Sequence, residues 1–476
     1  MASETKRRWN DFSWYAPEDT KEERRFIRKL DLLIVPYAFV SYWVKYIDQA
    51  NINNAYVAGM KEDLGFHGNE LVQLQTLYIV GAVVGQLPFL FLFTYVPLNI
   101  LIPFMDVCWG IFTLLQFRVS GFAEIAAYRF LVGFFEAAFF PVMHYLFGSW
   151  YRGDEIGRRG GIFYVGLSLG TLTAGLIQAG ASARLDGVSG LAGWRWMSII
   201  CALITIPIGM LGYFVIPGTP DQPNRLVLTE DDVVIGEKRL KRAGHQSHGK
   251  LRLRNLKSAL SRPQFWAIIV VDVFFWNAGL ASSTGSFLLW IKSLGRYSQA
   301  RTNELGTIAP ALGIFYTLLV CFLSDLALGP AWAITLAHVW NGLGLLILTI
   351  WNVPEPAKWF AYATNYSSQA MSSVLHGWVN AQLRDAPAER AFTLVLINAI
   401  SQSTTAWTPL LVFPTVEAPR FPKGYAFCLA CAVVLIVLVH VLNTYLKRKE
   451  AKSIQIDVVE NPEAASLDAR TADNKR

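Results

Sequence analysis

Twelve long apolar runs constrain the fold of this chain more than any other feature of its sequence. They are centred near residues 40, 83, 107, 137, 171, 206, 278, 315, 341, 370, 402 and 435. A helix of about 20 apolar residues crosses the hydrocarbon core of a bilayer, and twelve such helices need most of the 476 residues. The composition agrees, because 16% of the residues are charged, whereas soluble proteins average about 25%. We therefore expect an all-α integral membrane protein with little room for a soluble domain.

The distribution of positive charge predicts how these helices cross the bilayer. With a cytosolic N-terminus and alternating spans, 30 of the 42 Lys and Arg residues lie on the cytosolic side and ten on the outer side, as the positive-inside rule requires. Residues 1–29 are polar and basic, so we expect no cleavable signal peptide and a first span that acts as an uncleaved signal anchor. The formal net charge of +7 follows from this topology and from anionic inner-leaflet lipid, and it requires no nucleic-acid partner.

A polar stretch between the sixth and seventh spans divides the twelve predicted transmembrane helices into two six-helix halves. The predicted segments are a cytosolic N-terminal tail (1–29), an N-terminal half (30–216), a cytosolic central loop (217–262), a C-terminal half (263–446) and a cytosolic C-terminal tail (447–476). Within the loop, Thr229 stands before a run of acidic residues and is a good N-cap, while Gly244 is a suitable stop, so a short surface helix is predicted there. We interpret the loop as a tether between the halves rather than as a regulatory module.

Two six-helix halves are typical of a transporter whose substrate site lies near the bilayer midplane between them. A channel or a membrane enzyme has the same overall pattern, but the sequence shows no motif of a zinc metalloprotease, a serine hydrolase or a P-loop ATPase. Uphill transport would therefore use an ion gradient, and we expect no cofactor. The five cysteines lie in or beside apolar runs with no neighbouring histidine cluster, which argues against metal binding and redox activity.

Polar residues follow one face of the first apolar run. In KYIDQANINNAYVAGM (45–60), they recur at three-residue spacing as Lys45, Asp48, Asn51 and Asn54. A helix places them on one side. A charged side chain inside the bilayer costs about 3 kcal/mol on insertion scales, and Lys45 and Asp48 can lower that cost by pairing. We favour the hypothesis that this face lines a substrate or proton pathway; the alternative is a structural ion pair with packing asparagines.

The fourth span carries a second pair of charges, Arg129 and Glu136. They are seven residues apart, so they share a helix face but stand about 10 Å apart along the axis, too far to pair closely. The forked guanidinium of Arg129 can bind a substrate carboxylate or be neutralised by Asp48. A carboxyl in a low-dielectric site can take up and release a proton, so Asp48 and Glu136 are the candidate proton-coupling residues. A salt bridge between packed helices is the competing interpretation.

The C-terminal half supplies further candidate ligands. Asn277 lies near the middle of span seven, and Asp272, earlier in that span, is expected in the cytosolic gate. Small residues in span ten allow close helix approach, so many of its serines are expected to serve packing alone. The complete set of predicted substrate-binding residues is Lys45, Asn51, Asn54, Arg129, Asn277, His376, Trp378 and Asn380.

Five stretches of the sequence resemble one group of transporters. They are KYIDQANINNAYVAGMKEDL (45–64), YRFLVGFFEAAFFPVMHYLFGSWYRGDEIGRR (128–159), GLAGWRWMSII (190–200), PGTPDQP (217–223) and WVNAQLRDAPAERA (378–391). Together they make the membrane part resemble the major facilitator superfamily and, within it, the fungal allantoate permease or anion:cation symporter group. The combination of NAYVAGMKEDL with GWRW is most similar to the pantothenate and related vitamin permeases.

This resemblance implies proton-coupled uptake of a small organic anion, with pantothenate as the leading substrate, at the plasma membrane. The motif positions that it implies are Asp48, Asn51, Asn54, Arg129 and Glu136. One departure is Gln49, since the group usually has arginine after the aspartate of span one, and we expect Lys45 to supply that charge. We expect the partners to be the lipid bilayer, the anion and the proton, and the protein to be a monomer.

Two other functions remain open at this point. A proton-driven exporter of a secondary metabolite has the same fold, and the sequence does not separate it from an importer. A transport-inactive nutrient sensor is disfavoured, because a sensor usually has an enlarged cytosolic tail or loop. Here the central loop and the C-terminal tail are both short.

Overall fold

A computed structural model of the chain describes residues 14–15, 19–242, 260–324, 328–371, 374–376, 378 and 387–460. The described residues are mainly helical, as predicted. A short antiparallel ribbon joins β1 (Gly218–Thr219) to β2 (Gln222–Pro223). Parts of the predicted tails and central loop, including Gly244, lie outside the described residues, as does Asn380 in predicted span ten.

The helices before the ribbon are called the N-terminal helices below. They are α1 (Lys21–Ala55), α2 (Lys61–Asp63), α3 (Glu70–Tyr95), α4 (Leu98–Leu115), α5 (Phe122–Glu136), α6 (Phe139–Trp150), α7 (Gly153–Arg184) and α8 (Gly193–Val215). A π-helical turn (Tyr56–Met60) joins α1 to α2, and 3-10 turns (Gln116–Arg118 and Val188–Gly190) precede α5 and α8. The helix α9 (Glu230–Arg242) follows the ribbon.

The helices after α9 are called the C-terminal helices. They are α10 (Pro263–Ala278), α11 (Leu280–Ser283), α12 (Ser286–Ser293), α13 (Gln299–Gly306), α14 (Ile308–Leu323), α15 (Gly329–Ile350), α16 (Glu355–Asn365), α17 (Pro387–Val412) and α18 (Pro422–Glu460). Two 3-10 turns (Tyr366–Met371 and Thr415–Glu417) follow α16 and α17. Predicted span seven is divided into α10, α11 and α12, and Gly285 between the last two has φ 73°, a conformation that favours glycine.

Eight helical segments of the described residues are long and apolar enough to cross a membrane. They contain the predicted centres near residues 40, 107, 137, 171, 206, 315, 341 and 435. The other four predicted centres fall on helical segments outside that set: 83 on α3, 278 at the end of α10, 370 on the 3-10 turn after α16, and 402 on α17. The structure thus supports a helical membrane protein, while the full twelve-span topology remains a prediction.

α1 begins where the sequence provides a capping box. The Thr20 hydroxyl accepts a hydrogen bond from the Glu23 N–H at 3.2 Å, and the Glu23 carboxylate accepts one from the Thr20 N–H at 2.8 Å. Each bond satisfies a backbone donor that lacks a helical partner. The helix ends 35 residues later at the π-helical turn, where Gly59 has φ 110°. The charged stretch therefore occupies the last third of one continuous helix.

Glycines bring α3 and α5 into contact. A Cβ on Gly133 would lie 2.0 Å from the carbonyl oxygen of Tyr78, and one on Gly81 would lie 2.1 Å from a carbonyl oxygen of α5. Helix backbones approach this closely only where small residues face each other. The contact sets the register of the two helices, and that register places Tyr78 beside Arg129 and Glu136.

Gly133→Ala is expected to destabilise the protein and to lower transport. The added methyl group cannot fit against the α3 backbone unless the helices separate, and overpacking of this kind costs about 1–3 kcal/mol. Thermal unfolding of the purified protein in detergent measures the loss. Gly180→Ala is the matched control, because a Cβ at Gly180 would meet no described atom within 4 Å. Equal effects of the two substitutions would contradict the helix contact.

α9 is docked on the N-terminal helices by buried ion pairs. Arg239, which is 2% exposed, pairs with Asp19 at 3.0 Å between Nε and Oδ1, and also with Glu155 of α7. Arg242 extends the network to Glu23, at 3.0 Å. The helix predicted within the central loop is therefore present, but one of its faces is buried rather than exposed.

The first turn of α9 is held at its outer edge by a further pair. The Lys29 ammonium donates to the Asp232 carboxylate at 2.7 Å. Burial alone would raise the pKa of Asp232, but the hydrogen bonds from Lys29 and Thr229 outweigh it and lower that pKa below its ordinary value. Asp232 is therefore ionised at neutral pH and keeps its bond to α1.

Arg239→Leu is expected to destabilise the protein strongly. The substitution leaves the carboxylates of Asp19 and Glu155 buried without their cation, and removal of one partner from a buried pair costs about 3–5 kcal/mol. Lys241→Leu on the same helix is the matched control, because the Lys241 side chain is 75% exposed and such surface pairs contribute about 0–1 kcal/mol. If both variants unfold at the same temperature in detergent, the buried network contributes nothing measurable.

The N- and C-terminal helices meet at the end of α1 that carries Ala55. Lys292 of α12 bonds Glu62 of α2 at 2.8 Å. The Asn69 side-chain oxygen accepts a hydrogen bond from the Val416 N–H at 3.1 Å. These contacts join the two sets of helices at that end.

Candidate functional site

A cavity of about 130 Å³ lies between the N- and C-terminal helices. Residues of α1, α3, α5 and α6 form its N-terminal wall. Residues of α10, α11, α17 and the 3-10 turn Tyr366–Met371 form its C-terminal wall. A site between two sets of helices is where a transporter built from two halves binds its substrate, so this cavity is the candidate site.

The face of α1 that lines the cavity differs from the predicted one. Lys45, Gln49 and Asn53 line it at four-residue spacing. Asp48 and Asn51 are instead buried outside the wall, with 1% and 4% exposure. Because a helix has 3.6 residues per turn, rows at three- and four-residue spacing drift apart and reach different neighbours. The polar residues of this stretch thus lie in two environments, one at the cavity and one buried among the helices.

Lys45 and Asp48 do not form the ion pair that their spacing allows. The Asp48 carboxylate accepts a hydrogen bond from the Thr205 hydroxyl of α8 at 3.1 Å, and its other oxygen has no described partner. Lys45 lies in the cavity wall and interacts electrostatically with Glu136 and Asp106. No described carboxylate comes within 4.0 Å of its ammonium. Lys45 is therefore a cation that a substrate in the cavity can reach.

Arg129 is part of the lining of the same cavity. The guanidinium carbon lies 4.7 Å from the centroid of the Tyr78 ring. One terminal nitrogen donates to the main-chain oxygen of Asp48 at 3.3 Å, and Nε has no described partner. No described carboxylate lies within 4.0 Å, so Asp48 does not neutralise Arg129 directly. The guanidinium keeps the donors that would bind a carboxylate from outside the protein.

Glu136 is connected to the cavity through Tyr78. The Tyr78 hydroxyl donates to one Glu136 oxygen, and the other oxygen has no described partner. Glu136 is 1% exposed, whereas Tyr78 lines the cavity. Glu136 and Arg129 do not pair, which agrees with the separation predicted from their spacing. A carboxyl in this position can hold a proton one hydrogen bond away from the substrate.

Asp106 of α4 is a buried carboxyl that sequence reasoning missed. It is 1% exposed and accepts a hydrogen bond from the Tyr37 hydroxyl at 2.8 Å. The acid within the apolar run LIPFMDVCWG (101–110) was the available signal. Five described residues with mutual electrostatic interactions are called the N-terminal charge cluster: Lys45, Asp48, Asp106, Arg129 and Glu136. The cluster holds more carboxyls than cations.

The C-terminal wall of the cavity carries amides and hydroxyls. Its polar residues are Ser283, Thr284, Gln369, Asn398, Gln402 and Thr405. Among the described residues, the C-terminal helices place no ionisable side chain on this wall. The amide nitrogen of Gln86 on α3 donates to the amide oxygen of Gln402 on α17 at 3.0 Å, which connects the two sets of helices.

Two of the predicted ligands in the C-terminal half lie away from the cavity wall. The Asn277 amide donates to the Val273 carbonyl oxygen and to the Thr404 hydroxyl, both at 2.8 Å, so it connects α10 to α17. Trp378 packs in a buried apolar cluster that includes Phe265. Both residues hold the C-terminal helices together in this structure, and their assignment as substrate ligands remains a prediction.

His376 and Asp272 face each other beneath the cavity wall. The His376 Nε2 atom lies 4.0 Å from Asp272 Oδ1. The His376 ring lies 5.8 Å from the ring of Phe140, which lines the cavity. His376 therefore lies beside a residue of the N-terminal wall and is not itself part of the cavity lining. Its predicted contact with the substrate and the predicted gate role of Asp272 both stay predictions.

Asn54 lines a second, smaller cavity of about 70 Å³. Its amide donates to the Ala50 carbonyl oxygen at 2.9 Å. Asn53 borders both cavities; it accepts a hydrogen bond from Gln75 at 2.5 Å and donates to the Ser283 carbonyl oxygen at 3.3 Å. This chain of amides separates the two cavities.

Several cavity residues were missed in the choice of site residues from sequence. They are Gln49, Asn53, Gln75, Tyr78, Gln369, Asn398 and Gln402. The four-residue spacing of Lys45, Gln49 and Asn53 was visible in the sequence, as was the same spacing of Asn398 and Gln402. Uncharged polar residues give a weak signal, because they also occur at packed helix contacts.

Comparisons with known proteins match nearly the whole chain. The family model described as Major Facilitator Superfamily matches residues 38–409. A vitamin H transporter from Saccharomyces cerevisiae is 39% identical over 455 residues, which are 94% of this chain and 77% of the relative. A pantothenate transporter from Schizosaccharomyces pombe is 32% identical over 406 residues, which are 85% of this chain and 79% of the relative.

Solved structures show the same fold. The crystal structure of a D-xylose–proton symporter has a TM-score of 0.64 and covers 86% of this chain and 97% of its own. Its sequence identity is 14%, so this likeness concerns the fold alone. The family model and the sequence relatives confirm the resemblance to the major facilitator superfamily and its vitamin transporters.

Proposed function

Because the chain belongs to the major facilitator superfamily, whose members are membrane transporters rather than enzymes, we propose that it imports a small carboxylate vitamin together with a proton. The observation that carries this proposal is the pair of cations on the cavity wall, Lys45 and Arg129. Neither has a described carboxylate within 4.0 Å. Without a paired carboxylate, the ammonium and the guanidinium can donate charge-assisted hydrogen bonds to a substrate carboxylate.

The proposal includes the membrane arrangement expected from the sequence. We place twelve spans in two six-helix halves, with both termini in the cytosol and the protein in the plasma membrane. The positive-inside distribution of Lys and Arg supports this orientation. The Ala55 end of α1 then faces outward, and the contacts of Lys292 with Glu62 and of Asn69 with Val416 join the two halves on the outer side.

Biotin is the first substrate candidate. The supporting observation is the 39% identity to a vitamin H transporter over 94% of the chain. Pantothenate, the substrate expected from sequence, stays the second candidate because two pantothenate transporters are 32% and 30% identical. Both vitamins carry one carboxylate on a chain that ends in neutral polar groups, so both suit one cationic wall.

Charge balance in the N-terminal charge cluster supports proton coupling. The substrate carboxylate adds a negative charge to a cluster that already has more carboxyls than cations, and uncompensated charge is unfavourable at bilayer depth. A proton on one carboxyl offsets the added charge. Glu136 is the proposed carrier, because Tyr78 connects it to the cavity. The loaded cavity then opens inward as the halves rock, and the substrate and proton leave together.

Uptake of labelled biotin by yeast cells that lack their own biotin permease tests the proposal. Cells that express this chain are expected to accumulate biotin at acidic external pH, and a proton uncoupler is expected to abolish the accumulation. Labelled pantothenate is measured in parallel. If neither vitamin enters cells in which the protein is shown at the surface, the proposal is wrong. Efflux of preloaded substrate driven by the proton gradient would instead indicate the exporter.

A further inference from the structure

We propose that the substrate carries a neutral amide or urea group at the end opposite its carboxylate, and that Asn398, Gln402 and Gln369 bind this group. The inference rests on the proposed function, since it takes the carboxylate at Lys45 and Arg129 as given. It divides the cavity into two parts. The anion end is the wall around Lys45 and Arg129, and the amide end is the wall around the three C-terminal amides.

The distribution of charge around the cavity requires the two ends of the substrate to differ. Within the described residues, both cations on the wall, Lys45 and Arg129, come from the N-terminal helices. The described C-terminal wall has no ionisable side chain. A second carboxylate at the amide end would lose its hydration without gaining a cation, which is strongly unfavourable. The group bound there is therefore uncharged.

The hydrogen-bonding groups at the amide end include both donors and acceptors. Gln402 uses its oxygen to accept from Gln86 at 3.0 Å, so its N–H group is left for a ligand. The Gln369 nitrogen donates to the Ser282 hydroxyl at 3.0 Å, so the Gln369 oxygen can accept a hydrogen bond from a ligand. Asn398 stands one helical turn before Gln402, and no hydrogen bond joins its side chain to another described residue. It therefore offers a donor and an acceptor.

An amide or urea group matches this set of donors and acceptors. It places N–H and C=O groups in one plane, so that each can meet an amide of the wall. A carboxylate has acceptors only and would face the Gln369 oxygen without a donor. An alkyl end would leave the wall amides without partners, and sites with unmet polar groups reject such analogues. Trp276 and Leu280 also line the cavity and provide apolar surface for the chain between the two ends.

Binding to the purified full-length protein in detergent tests the inference with three probes. Biotin carries a carboxylate and a cyclic urea, nonanoate keeps a carboxylate and a chain without the urea, and biotinamide keeps the urea without the carboxylate. Each is measured by competition against labelled biotin, or against labelled pantothenate if the cells take up only that vitamin. We expect nonanoate and biotinamide each to bind at least about tenfold more weakly than biotin.

Two variants test which residue binds each end of the substrate. Asn398→Leu is expected to weaken biotin binding about tenfold and to leave nonanoate binding unchanged, since nonanoate has no group for Asn398. Lys45→Met is expected to weaken biotin and to leave biotinamide unchanged. Thr408→Val is the matched control on α17, because the Thr408 hydroxyl donates to the Thr404 carbonyl oxygen within the helix and does not line the cavity. It is expected to leave all three affinities unchanged.

The possible outcomes separate the inference from the proposed function. Nonanoate binding as tight as that of biotin would overturn the amide end while leaving carboxylate transport in place. Equal weakening of biotin and nonanoate by Asn398→Leu would also overturn it, because Asn398 would then act through the helix rather than on the urea. If the folded protein binds no carboxylate probe and transports neither vitamin, the proposed function is wrong, and the inference falls with it.

Discussion

Arg129→Met is expected to lower uptake strongly while leaving the protein in the membrane. The guanidinium lies on the cavity wall and has no described carboxylate partner within 4.0 Å. A hydrogen bond to a charged group contributes about 1.5–3 kcal/mol, and each 1.4 kcal/mol is about a factor of ten. Loss of the contact with the substrate carboxylate therefore predicts a fall in uptake of about 10- to 100-fold. Methionine keeps the length of the side chain and suits the apolar surroundings.

The initial rate of uptake per molecule at the cell surface is the measurement that checks this prediction. Arg129→Lys keeps the charge but loses the forked geometry, so we expect an intermediate rate. Arg159→Met is the matched control for a buried arginine, because Arg159 pairs with Asp31 at 2.6 Å and is remote from the cavity wall. That control is expected to lower the amount of protein rather than the rate per molecule. If Arg129→Met lowers only the amount of protein, Arg129 is a packing residue.

Glu136→Gln is expected to uncouple uptake from the proton gradient. Glutamine keeps the size of the side chain and still accepts the hydrogen bond from Tyr78, but it cannot carry a proton. With one proton per substrate, each pH unit across the membrane supports about tenfold accumulation, because a pH unit corresponds to about 1.4 kcal/mol. We expect the variant to equilibrate its substrate without accumulating it. The measurement is the ratio of internal to external substrate at steady state, at two external pH values.

Asp48→Asn, measured in the same way, shows which carboxyl carries the proton. The Asp48 carboxylate faces Thr205 of α8 rather than the cavity, so we expect this variant to transport more slowly but still to accumulate substrate. Accumulation that is lost in Asp48→Asn and kept in Glu136→Gln would assign the proton to Asp48. Accumulation that is kept in both variants would remove both residues from the coupling mechanism.

The helical membrane fold could be predicted from the sequence because it depends on local properties. An apolar run of about 20 residues spans a bilayer whatever its neighbours are, and a chain in lipid must satisfy its backbone polar groups within each helix. The helix α9 was likewise predictable from Thr229, whose hydroxyl accepts a hydrogen bond from the Asp232 N–H at 3.3 Å. The breaks in spans seven and ten were not predicted, although small and polar residues stand at both, as SSTGS (282–286) and NYSSQ (365–369).

The candidate site was predicted only in part. Lys45 and Arg129 were recognised because a charge inside an apolar run is conspicuous and costly, and both line the cavity. The partners of these charges were not recognised. The spacing of Lys45 and Asp48 allows an ion pair, yet Asp48 bonds Thr205, which is 157 residues away in the sequence. No local pattern contains that contact.

The sequence by itself determined that the chain is a helical membrane protein, that Lys45, Asp48, Arg129 and Glu136 stand within its apolar runs, and which family it resembles. Only the tertiary structure decided which polar side chains face the cavity. The reason is that the rotation of each helix depends on its neighbours. On α7, a Cβ at Gly170 would lie 2.4 Å from the Trp43 carbonyl oxygen, so this glycine lets α1 lie directly against α7. That contact helps to set the rotation of α1, which places Lys45 and Gln49 in the cavity and leaves Asp48 against α8.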